Sequence, residues 1–211
     1  MQTDPVAFLR EDLPALFNKG VAQLEAKAAS DDKAKARLED TRAAKGAVRV
    51  VFEGDGGGEL YLCVDGGAMK AAGSAPAGVP VRLAVAAPVD AARAALEQVA
   101  EHDLLASEKA PKRIARSASA EVEKVLAGHQ LAFHVTFTDL PTDPDEVTLR
   151  IAIGSSEPPA NPKFTATVSW DDIEDVRSGD MTPQQLFGRL KLTGDASQAM
   201  ALGMALMQRR R

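Results

Sequence analysis

The sequence predicts an α+β protein, with a mixed or antiparallel β-sheet and helices packed on one face of it. Two observations carry this. The period of the apolar residues switches between 3.6 and 2 more than once along the chain, separating helical from extended segments. The extended segments also come in the same order twice, as a hairpin, a third alternating run and a helix. That order predicts an internally duplicated ββ-β-α unit, with chance alignment of two hairpins as the competing explanation.

The first element is an amphipathic helix over residues 6–27. Leu9, Leu13, Leu16, Phe17, Gly20 and Leu24 fall on one helical stripe, and Pro14 fits the first turn of a helix beginning near Asp12. Ser30–Gly46 is dense in both charge signs and reads as a solvated helix or a linker. In VRVVFEG, Val48, Val50 and Phe52 then alternate with polar or smaller neighbours. The loop GDGGG (Gly54–Gly58) leads to ELYLCVD, where Leu60, Leu62 and Val64 share a face, so the two runs form a hairpin. A third strand carries Val81, Leu83 and Val85, and Pro88 opens a helix through PVDAARAALEQVAEHDLL. The basic segment Lys109–Ser117 precedes a short helix capped by Ser119 and stopped by Gly128.

The pattern then repeats. LAFHVTFT and EVTLRIAI form a second hairpin, and KFTATVSW is its third strand. The helix that follows has Ser169 and Asp172 spaced as a capping box, with Gly179 past its end. At an offset of about 83 residues, Val48, Val50 and Phe52 map onto Leu131, Phe133 and Val135, and Val81, Leu83 and Val85 onto Phe164, Ala166 and Val168. Three regions follow: an N-terminal helix and charged linker over 1–46, a first half over 47–128, and a second half over 129–211.

Composition narrows the function. Of 211 residues, 45% are hydrophobic but only 4% aromatic, so the core is built from Val, Leu, Ile, Ala and Met. The net charge of −5 argues against a nucleic-acid partner, which requires a basic surface. A single cysteine, Cys63, rules out a disulfide within the chain. No apolar run approaches the roughly 18 residues that cross a bilayer, and the N-terminus lacks an apolar signal core, so a cytoplasmic protein is expected. His102, His129 and His134 have no metal-ligand spacing, and no Ser sits in a G-x-S-x-G turn. The five carboxylates of WDDIEDVRSGD do not match a calcium loop and suit the start of a helix. No cofactor, no metal and no catalytic residue is expected, and the chain reads as a non-enzyme.

The C-terminal stretch SGDMTPQQLFGRLKLTGDASQAMALGMALM is the most informative. Thr182 caps a helix that begins at Pro183 and ends at Gly188. Leu190 and Leu192 alternate with Arg189, Lys191 and Thr193 and are expected to face inward. Asp195 caps a last helix on which Ala196, Ala199, Met200, Gly203, Met204 and Met207 form one stripe. This stretch resembles the sterol carrier protein type 2 family of lipid-binding domains. Met181, Thr182, Pro183, Gln184, Phe187, Gly188, Leu190, Leu192, Gly194 and Asp195 match the family pattern in order. The preceding strand and acidic helix start, FTATVSWDDIEDV, fit it as well. The resemblance covers residues 131–207 and is most specific over 164–207, whereas the first half shares only the strand order.

The resemblance implies a five-stranded sheet with helices on one face and an apolar tunnel between them. It implies binding or transfer of fatty acid, acyl-CoA, sterol or phospholipid without catalysis. The residues expected to line the tunnel are Trp170, Ile173, Val176, Met181, Leu186, Phe187, Leu190, Leu192, Met200, Met204 and Met207. Expected partners are a lipid or fatty-acyl ligand and, transiently, a membrane surface, for which the basic segment Lys109–Arg116 and the tail Arg209–Arg211 are the candidates. The alternative is a ligand-free interaction or dimerisation module of the same fold, forming a homodimer.

Overall fold

A computed structural model describes residues 4–208, except 102–104, 142–143 and 159; of residues 206–208 only the backbone is described. The chain opens with α1 (Pro5–Ala7), whose N-terminal N–H groups are capped by Asp4, followed by a π-helical turn over Phe8–Asp12 and by α2 (Leu13–Ala28). Pro14 lies in the first turn of α2, where its missing N–H costs nothing. The charged segment is a helix, α3 (Asp32–Ala43), anchored by buried Ala34, Leu38 and Thr41. The strands are β1 (Lys45–Glu53), β2 (Gly58–Asp65), β3 (Ala68–Ala72) and β4 (Val81–Pro88). Helices α4 (Val89–Glu101), α5 (Ala110–Ala115) and α6 (Ala120–Ala127) follow. The second half holds β5 (Leu131–Thr138), β6 (Val147–Ile153), β7 (Phe164–Ser169), α7 (Trp170–Ser178), α8 (Pro183–Arg189), β8 (Lys191–Gly194) and α9 (Ser197–Gln208).

All eight described strands join one mixed sheet in the order β3-β2-β1-β4-β6-β5-β7-β8. The two halves pair their strands alike. β1 is antiparallel to β2 and parallel to β4, and β5 is antiparallel to β6 and parallel to β7. The two units meet where β4 runs antiparallel to β6. The one-to-one mapping read from the sequence does not extend to register. Val81 faces Ala47, but its counterpart Phe164 faces Phe133. A bulge between Ala47 and Val48 adds one residue to that difference, so that beyond it Val50 faces Val85. β3 was not expected, because AMKAA is short and lacks large alternating side chains.

Residues directly opposite in paired strands share a face. One face therefore collects Val48, Val50, Leu62, Leu83, Ile151, Phe133 and Phe164. It packs against α2, α3 and α5 through Phe17, Val21, Leu24, Leu38 and Ala115, and against α6 and α9 through Val125, Ala196 and Leu202. Phe133 and Phe164 stack across β5 and β7 with ring centroids 4.9 Å apart. The other face carries Arg49, Glu59, Arg150, His134, Thr165 and Thr193, except where Val79 and Ala75 fold over Cys63 and Ala47.

Three local expectations are corrected. The Ser169–Asp172 capping box does not form. The Ser169 hydroxyl instead serves Asp139, whose carboxyl is held below the usual carboxylate range by hydrogen bonds from Ser169 and Thr138. Gly188 does not end α8, which runs to Arg189; its start has the capping box, formed by Thr182 and Gln185. On α9, Met200 and Met204 are not on the inward side. The helix docks through Ala196, Ala199, Leu202 and Ala205, whose mostly small side chains permit close approach, and leaves Met200 and Met204 44% and 53% exposed.

Candidate functional site: an apolar cavity at the seam of the two units

At the β4–β6 junction, on the helix-bearing face, lies a cavity of about 350 Å³. Its floor is Phe52 of β1, Val85 and Ala87 of β4, Val147 and Leu149 of β6, and Phe137 of β5. Register explains the gathering: Phe52 is opposite Ala87, and Phe137 is opposite Val147. The roof is α4. Ala91, Ala94, Ala95 and Gln98 recur at i, i+3, i+4 and i+7 and turn one stripe of the helix to the cavity. Leu140, Pro141 and Trp170 complete the wall. α4 and α7, the helices that directly follow the third strand of each unit, both reach the cavity.

The cavity exists because small side chains face large ones. On α4 only Val89 is fully buried, and the alanines beyond it are too short to fill the space above the strands. Among the described lining residues there is no charged side chain, and the carboxamide of Gln98 is the one hydrogen-bonding group on the roof. Gln98 donates through Nε2 to Glu101 at 3.3 Å, on the exposed part of the helix.

Of the residues expected to line a lipid tunnel whose side chains are described, Trp170 alone lines this cavity. Ile173 and Val176 are half-buried on α7. Met181 is buried beyond its end. Leu186, in the middle of α8, and Leu190, just past its end, are half-buried. Phe187 and Leu192 are each 39% exposed. Leu192 is opposite Ala166 and so faces the helix side as expected. It stays uncovered because β8 is the edge strand. The side chain of Met207 lies outside the described residues, as does the tail Arg209–Arg211. The floor residues of the first unit and the alanine stripe of α4 are additional to the expected set. Their signal in the sequence is a helix whose inward stripe is small and follows directly on a strand of larger residues.

Among the described residues, no group of three or more His, Cys, Asp or Glu side chains is placed to hold a metal ion. No described helix is long and apolar enough to cross a membrane. The basic segment expected at a membrane is largely α5, pinned to the core by Ala110, Pro111 and Ala115, with Lys109, Arg113 and Arg116 exposed.

A scan against protein-family models gives no match for this chain, and searches of curated proteins and of solved structures give none. The fold and site define an α+β protein built of two like-paired units in one mixed eight-stranded sheet, with an apolar cavity between them.

Proposed function

We propose that the protein binds an apolar or lipid-like ligand non-enzymatically and that the cavity under α4 is the binding site. The observation that supports this most is the lining itself, about 350 Å³ walled by alkyl and aromatic side chains. The volume is at the lower end of the range for small-molecule sites. Each methylene moved from water into such a space gains about 0.8 kcal/mol. The resemblance of the C-terminal stretch to the sterol carrier protein type 2 family points to the same class of ligand, although the cavity lies at the junction of the units rather than under α9. Lys109, Arg113 and Arg116 are suited to transient contact with anionic lipid during exchange.

Native mass spectrometry of the protein as purified, followed by thermal denaturation with added single-chain lipids, tests this. A co-purified small molecule, or a melting temperature that rises with ligand concentration, is expected. A clean protein with an unmoved melting temperature across the series would refute the reading.

A second reading rests on a different observation. Phe187, Leu192, Met200 and Met204 are exposed apolar side chains of the second unit. An interaction or dimerisation module would use them. Light scattering separates the two: a concentration-independent monomer removes the homodimer.

A further inference from the structure

We infer that the cavity selects a single-chain amphiphile with an uncharged head, taking about twelve carbons of the chain and rejecting carboxylate or phosphate heads and sterols. The inference rests on the ligand-binding reading above and specifies what that site accepts.

Size sets the first limit. A cavity of about 150 Å³ lined by aliphatic and aromatic residues holds one six-carbon ring, so about 350 Å³ has room for two such rings, about twelve carbons, and not for a fused four-ring skeleton with its tail. Charge sets the second. Among the described residues no Lys, Arg or His lines the cavity. An anionic head beside Gln98 would meet the Glu101 carboxylate 3.3 Å from the Gln98 amide and no cation on the lining, so it is repelled. Carboxylates stand next to three lining residues: Glu101 accepts from Gln98, Asp139 precedes Leu140, and Asp171 follows Trp170. The cation on the roof helix, Arg93, is held 2.6 Å from Asp90 and lies against the β1–β2 loop at Gly56. It is not on the lining stripe. A neutral head can remain at Gln98, whose carboxamide both donates and accepts.

The chain has one tryptophan, Trp170, and it lines the cavity, so its emission reports occupancy of this site. The experiment is a fluorescence titration of the whole protein at pH 7 with 1-alkanols and alkanoates of six to eighteen carbons, and with a sterol. Alkanol affinity is expected to rise about fourfold per added methylene and to level off near twelve carbons. The alkanol is expected to bind at least tenfold tighter than the carboxylate of equal length. Gln98→Lys, which places a cation at the head position, is expected to narrow that gap at least tenfold. Equal affinity for alkanol and alkanoate, or tight sterol binding, would overturn the selectivity while leaving ligand binding in place. No change of emission with any of these compounds would remove ligand binding itself.

Discussion

Arg150 of β6 forms an ion pair with Glu53 of β1, reaching over β4, which lies between them. β4 allows this because Ala86, opposite both Val51 and Arg150, is small and buried. Arg49 does the same in the other direction. It holds Glu59 on β2 at 2.9 Å and spans to the β6–β7 connection, where it meets Glu157 at 2.8 Å and donates to the Ser156 carbonyl at 2.6 Å. Two ionic straps thus stitch the units together on the face opposite the helices.

The straps differ in exposure, and so in worth. The Glu53 carboxylate is half exposed, so a double-mutant cycle with Glu53→Ala and Arg150→Ala is expected to give a coupling of about 0.5 kcal/mol that shrinks in high salt. The Arg49 side chain is only 14% exposed and serves three acceptors, so Arg49→Ala is expected to cost about 2 kcal/mol. Urea denaturation of the variants measures both.

Acid should weaken the Arg49 strap first at Glu59. The hydrogen bond from Arg49 holds the Glu59 carboxyl below its ordinary value of 4.5. A carboxyl with a depressed folded-state value stabilises the fold above the unfolded value, and this is lost as pH falls through the folded one. Wild type is therefore expected to exceed Glu59→Gln in stability at neutral pH, and the difference is expected to shrink steadily below about pH 4.5. Denaturation curves across pH 3 to 7 test this. A constant difference would exclude the ion pair as its origin.

Gly20 marks a close contact between α2 and α5. A Cβ built there would lie 2.1 Å from the Pro111 carbonyl oxygen of α5 and 2.9 Å from the Ala115 methyl. Backbone cannot yield as a side-chain tip can, so Gly20→Ala is expected to destabilise by about 2 kcal/mol or more even though alanine favours a helix. Thermal denaturation measures this; a stabilised variant would show that α5 does not dock there.

Filling the cavity should raise stability and remove binding together. Ala91→Leu extends an alkyl side chain from the roof into the cavity, with an expected gain of about 1 kcal/mol and loss of the ligand-induced rise in melting temperature. Met200→Gln and Met204→Gln, on exposed positions, are expected to change stability by less than about 0.5 kcal/mol. Calorimetry of the three variants with and without ligand distinguishes the two regions.

Much of the fold was legible because strand alternation and turn chemistry are local. Val48, Val50 and Phe52 alternate before a glycine loop, and Thr182-Pro183 and Asp195 mark helix starts whatever surrounds them. What local pattern lacks is the identity of the neighbour. The apolar surface of α9 wraps most of the helix, so composition did not tell that Ala196 and Leu202 would dock and the methionines face out. The cavity was hidden for the same reason. Ala91, Ala94 and Ala95 read as good helix formers, and only the register of four strands shows that nothing large fills the space beneath them.

The two units follow one another along the sheet by translation, each offering a β2-like edge on one side and a β4-like edge on the other. Such a pattern has no intrinsic end. β3 and β8 supply it, closing the outer edges with one short strand each, and Lys191 places a charge on the last. The architecture is thus modular: a third copy inserted between the existing two would meet edges of the same kind on either side and create a second seam, and with it a second cavity.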